Sequence, residues 1–208
     1  MNNSQDARKA FQNARRKKLR KAVGRVVNRE DALTQRGALV EACREFVNDL
    51  NPDIEVGKCA YLTAAVILMG RLQGLDLIPQ AGNAAWPRLK PEQDDGVSDV
   101  THFGYIMEGE MPPPPEMPAE FHMWAADPGT YEIIDLSLRD FPAECKRITG
   151  LDWLGDIPPD YLWQSQVPDN VMYQPLKEAS ERAALAVGRI WAEWGFEMGN
   201  RQHAEKGS

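Results

Sequence analysis

The most constraining feature of this chain is the stretch from Ala60 to Gln73, which has almost no polar face. Tyr61, Leu62, Ala64, Ala65, Val66, Ile67, Leu68, Met69 and Leu72 lie nearly all round it, and Gly70 is its only breaker. A helix that is apolar on every side must be covered on every side, so the segment predicts the central, buried helix of a domain. Gly74 supplies its stop. No apolar run approaches the roughly 18–20 residues that cross a bilayer, so no membrane span is expected.

The flanking segments must supply that cover. Leu33, Leu39, Val40, Cys43, Phe46, Val47 and Leu50 recur at helical spacing, predicting a helix from about Asp31 to Leu50 with Cys43 on its buried face. Asn51-Pro52-Asp53 ends it. Strand candidates follow at Leu75–Gly82 (an edge or bulged strand, given Pro79), Ala84–Leu89, Thr101–Glu108, Glu120–Ala126 and Tyr131–Leu138. Lys90–Asp99 and the proline-rich Glu110–Ala119 read as loops. Asp127-Pro128-Gly129-Thr130 is a tight turn that makes Phe121–Leu136 a hairpin. Beyond Phe141 the chain reads as loop-rich until a last helix at about Pro175–Met198. Cys145, between Glu144 and Lys146, reads as an exposed or half-buried bystander.

Charge is strongly segregated. The net charge of -7 divides into +7 on residues 1–31, with ten Lys/Arg against Asp6, Glu30 and Asp31, and -14 on the rest. Residues 1–30, without Gly or Pro until Gly24, read as a basic helical extension ahead of a domain over 31–208. Such a head can pack on its own acidic body, or grip nucleic acid or another acidic partner. Three cysteines, Cys43, Cys59 and Cys145, are an odd number without metal-finger spacing. They read as free thiols in a reducing compartment, and cytoplasm is the expected address. The start of the chain has charge but no apolar run after it, unlike a secretory signal.

Chemistry points to Cys59. A cysteine attacks as thiolate, and a helix N-terminus turns unpaired N–H groups and a positive dipole end toward it. The same groups can hold an oxyanion. Cys59 stands at that start, and Gly57 two residues earlier lets a substrate backbone come close. A base is also needed. Of His102, His122 and His203, the last lies in a polar tail. His122 opens a strand, and thirteen residues later, across the turn, Asp135 ends the run Tyr131-Glu132-Ile133-Ile134. A hairpin of that form can set a carboxylate beside an imidazole. His102 is the rival base, without a strand acid at hairpin spacing.

These residues carry a resemblance. Gly57-Lys58-Cys59, the apolar helix through Arg71, Gly74 and a strand ending in Gly82 are similar to the cysteine segment of the transglutaminase-like superfamily, within the papain-like group. His122-Met123-Trp124 resembles its H-x-aromatic strand, and Glu132-Ile133-Ile134-Asp135 the next strand with the triad acid. The similarity spans roughly residues 55–140 and lies in order and spacing more than in any single motif. The upstream Gln of many papain-like enzymes has no match in Asn51-Pro52-Asp53-Ile54-Glu55. The resemblance implies Cys59 as nucleophile, His122 as general base and acid, and Asp135 as orienting acid.

The expected fold is α+β: a papain/transglutaminase-like core with a central helix on an antiparallel sheet of four or five strands, and helices at both ends. The expected function is a cysteine-dependent hydrolase or acyl transferase acting on a peptide, isopeptide or glutamine amide through a thioester. Trp86 and Trp124 are core residues by default and groove-lining candidates otherwise. No cofactor is expected. A zinc site from Cys59, His102, His122 and Asp135 lacks any short ligand pair. The rival class is an interaction protein on the same fold, working through its basic N-terminal helix.

Overall fold

A computed structural model describes residues 32–54, 57–89, 100–106 and 121–206. The basic segment 1–30 and the two loops expected over 90–99 and 110–119 lie outside them. The described chain is α+β. Its helices are α1 (Ala32–Leu50), α2 (Lys58–Leu72), α3 (Phe141–Thr149) and α4 (Lys177–Lys206). Its strands are β1 (Ile78–Leu89), β2 (Val100–Tyr105), β3 (His122–Asp127), β4 (Glu132–Asp135), β5 (Leu162–Gln164) and β6 (Met172–Pro175), and a 3-10 turn covers Leu138–Asp140. No helix among the described residues is long and apolar enough to cross a membrane.

The apolar segment does become the central helix. From Leu62 to Ile67 every residue of α2 is buried, and Met69 and Gly70 follow. Burying each large side chain there stabilises the fold by roughly 1.5–3 kcal/mol relative to exposure. Cover comes from Leu39, Val40, Cys43 and Val47 of α1, from Ala183, Val187, Ile190 and Trp194 of α4, and from one face of the sheet. Cys43 is fully buried against the Met69 sulfur at 3.5 Å.

Among the described residues the sheet is antiparallel throughout and has six strands, not four or five. The two strands expected at 75–82 and 84–89 are one, β1, and this strand organises the rest. It pairs with β3 over 78–82, with β6 over 82–85 and with β2 over 84–89. Pro79 and Pro87 each fall where β1 has a single neighbouring strand, so their missing N–H groups break no ladder. The prolines are therefore compatible with a strand that is central in its middle and an edge at both ends.

Register assigns the faces, because paired residues point the same way. Ala81, Met123, Ala125 and Ile134 face α2. On the opposite face, Trp86 pairs with Phe103, Tyr173 with Ala84, His122 with Gly82, and Leu162 with Asp135. A second core forms there around Trp86, Phe103, Leu138, Phe141, Cys145 and Leu162. Cys145 is 0% exposed, contrary to its expected place at the surface, because α3 turns that side inward between Phe141 and Thr149.

Gly104 shows how closely β2 and β1 approach. A Cβ there would lie 2.0 Å from the Ala84 carbonyl oxygen and 2.5 Å from the Ala85 Cα. Gly104→Ala must push backbone apart, and we expect a loss of about 2 kcal/mol or more in urea unfolding, in the range of overpacked cores. A loss under about 0.5 kcal/mol, the ordinary surface value, would show that the strands can separate freely.

Candidate active site

Cys59 lies in the first turn of α2 and is half-buried. Gly57 caps that helix with φ 73°, a left-handed conformation that glycine adopts without strain. Among the described residues nothing beyond its chain neighbours lies within 4 Å of where a Gly57 Cβ would be. Ala60 N–H closes onto the Gly57 carbonyl at 2.9 Å, tightening the first turn around Cys59. Lys58 reaches Asp140 at 3.4 Å and ties the helix start to the 3-10 turn.

His122 and Asp135 meet in the second core. Imidazole Nε2 lies 2.6 Å from Asp135 Oδ2, and each side chain is 1% exposed. The carboxylate is saturated. Ser137 donates to Oδ1 from its backbone N–H (2.9 Å) and its hydroxyl (2.7 Å), and Tyr173 donates to Oδ2 at 2.6 Å. The other ring nitrogen, Nδ1, is buried without a well-formed hydrogen bond. No hydrogen bond joins Cys59 to that nitrogen, though its sulfur is near enough to the ring to favour the imidazolium. Long or poorly aligned contacts of this kind are common in unliganded sites.

Aromatic rings enclose the imidazole. Tyr105 stacks on it at 5.4 Å and 17°, Trp124 lies on it at 6.3 Å and 23°, and Phe141 meets it edge-on at 5.2 Å. Tyr105 is itself held by a short hydrogen bond from its hydroxyl to Glu144. Burial disfavours the imidazolium, yet the Asp135 charge and hydrogen bond, with Cys59 adding to them, push His122 up to about 10. Burial also works against the Asp135 carboxylate, but His122, Tyr173 and Ser137 together hold it below the usual range. An ion pair at neutral pH is the result.

The other residues singled out from sequence are placed as follows. His102 is exposed on β2 and bonds the Asn170 carbonyl at 2.9 Å. His203 is in α4. Trp86 and Trp124 are 6% and 0% exposed, so both stand behind the ion pair and neither faces open solvent. Trp124 Nε1 bonds Gln80 at 3.1 Å. Among the described residues no group of three or more His, Cys, Asp or Glu could hold a metal ion. A hollow of about 150 Å³ between Arg36, Leu39, Asp127, Glu132 and Trp163 contains none of the three residues, and Arg36 bridges it to Glu132 at 2.7 Å.

No family model matches the chain, no curated protein matches it, and no solved structure matches it. Sequence reasoning missed Tyr105, Ser137, Phe141 and Tyr173. Ser137 carries the one usable signal, a hydroxyl two residues after the acid, where a short polar side chain commonly bonds back along the chain. The rest arrive from segments distant in sequence.

Proposed function

We propose that the chain is a cysteine-dependent hydrolase or acyl transferase built on a papain/transglutaminase-like core, acting on an amide through a thioester. The observation that carries this reading is the buried His122–Asp135 pair at 2.6 Å with the free thiol of Cys59 beside the imidazole. A buried ion pair alone is weak evidence of function, since structural pairs also occur. A helix-start cysteine beside that pair adds the nucleophile.

In this mechanism Asp135 fixes the ring through Nε2, leaving Nδ1 for the thiol. The resting imidazolium carries on Nδ1 the proton that the Cys59 thiol has given up, so the nucleophile is a thiolate, and the Asp135 charge stabilises the cation. Thiolate attack on a substrate carbonyl forms a tetrahedral oxyanion, which N–H groups in the first turn of α2 can face. His122 then returns the proton to the leaving amine, and a thioester on Cys59 remains. Water or an amine resolves it, with His122 taking and returning a second proton. The aromatic enclosure keeps bulk water away from the ion pair. Residues 1–30, with their basic excess, would serve as a contact to nucleic acid or another acidic partner.

An activated ester tests the first half-reaction without a known substrate. With p-nitrophenyl acetate we expect a burst of one equivalent of p-nitrophenol and an acetyl adduct on the Cys59 peptide, both absent in Cys59→Ala. His122→Ala should slow the burst by about 10²–10⁴-fold, the usual range for a general acid–base. A burst that survives Cys59→Ala sinks the reading, and so does no burst at all.

A further inference from the structure

We infer that Tyr173 is a positioning residue for the His122–Asp135 pair: its hydroxyl shares Asp135 Oδ2 with the imidazole, fixing the carboxylate and moderating its pull on the ring proton. The inference rests on the triad reading above and deepens it.

The geometry separates the Tyr173 hydroxyl from its ring. The ring packs edge-on against Trp124 at 5.1 Å and 82°, a contact that phenylalanine would keep. The hydroxyl alone meets the acid, at 2.6 Å. That hydroxyl accepts from Trp86 Nε1 at 3.4 Å, which leaves its own proton to be donated to Asp135. Burial, then the Asp135 charge and hydrogen bond, hold the phenol well above its usual range, so it stays a donor. Pairing of Tyr173 with Ala84 fixes where β6 delivers it.

Two donors on one carboxylate oxygen compete. His122 Nε2 and the Tyr173 hydroxyl both stand 2.6 Å from Oδ2, while Ser137 occupies Oδ1. If the imidazole held Oδ2 alone, the imidazolium would be bound more tightly and would surrender its proton to a leaving amine less readily. Among the described residues, the other titratable groups around the ring are Cys59 from α2 and Tyr105 from β2, whose hydroxyl is spent on Glu144 of α3. The Lys58–Asp140 pair stands at the mouth of the helix. From the remaining elements, Trp124 and Phe141 present uncharged rings.

Tyr173→Phe in the full chain, with histidine isotopically labelled, tests this by NMR. We expect the His122 midpoint to rise by roughly half a unit to one unit. At neutral pH the Nε2–H resonance should move further downfield. Trp86→Phe, which removes the donor to the phenol oxygen, should shift both in the same direction by less. A folded Tyr173→Phe with an unchanged midpoint and resonance overturns the inference. If that variant fails to fold, an unchanged Trp86→Phe does so instead. These readouts need no substrate. A shift without the ester burst leaves Tyr173 in its role and sinks only the activity; a burst without the shift does the reverse.

Discussion

Asp135→Ala is expected to cost about 3–5 kcal/mol of stability, the usual penalty for stripping one partner from a buried charge pair. For a domain of this size that lowers the thermal midpoint by roughly 6–20 °C. The substitution leaves four buried donors facing a void: the Ser137 N–H and hydroxyl, the Tyr173 hydroxyl and His122 Nε2. Asp135→Asn should cost less, but its amide offers one acceptor oxygen where the native group offers two, so one pair of donors stays unsatisfied. The loss should depend on pH. Asp135 is depressed on folding, so its contribution is full above about pH 4, its unfolded value, and is lost as pH falls through the lower folded one. His122 is raised, so its contribution is full below about pH 6.5 and is lost as pH rises through about 10. Urea unfolding of both chains from pH 3 to 10 should show the largest gap between about pH 4 and 6.5. A gap below about 1 kcal/mol there, or one that ignores pH, would mean that the pair is not charged in the fold.

That the acid would sit beside the histidine was legible because a hairpin is local. The Asp127-Pro128-Gly129-Thr130 turn has Asp127 Oδ1 accepting from the Gly129 and Thr130 N–H groups, and the register from it follows directly. The central helix was legible for a similar reason: its composition admits no solvent face. What stayed hidden was non-local. Tyr173 reaches Asp135 through a four-residue strand among prolines and polar residues, and β5 is only three residues long. Strands that short carry too little alternation to be read, and they exist because β1 and β4 offer them an edge. The merging of two expected strands into β1 has the same origin. Gly82 interrupts the apolar pattern but not the backbone, and pairing with β3 and β6 on either side of that point makes the strand continuous. Trp86 and Trp124 were ambiguous because a tryptophan in a strand reads alike whether its face meets a groove or a core. Here α3, a helix that the sequence reading took for loop, closes that face.

Alkylation of Cys59 by iodoacetamide near neutral pH is expected to run about tenfold faster in the native chain than in His122→Ala. In the proposed site the imidazole beside the sulfur holds the proton that the thiol gives up, and only the thiolate attacks. Cys43 and Cys145 are both 0% exposed and should stay unlabelled in the same experiment, so mass spectrometry can assign the adduct to one peptide. Equal rates in the native chain and in His122→Ala would leave Cys59 an ordinary half-buried cysteine. The His122–Asp135 pair would then be a structural ion pair, whatever its geometry suggests.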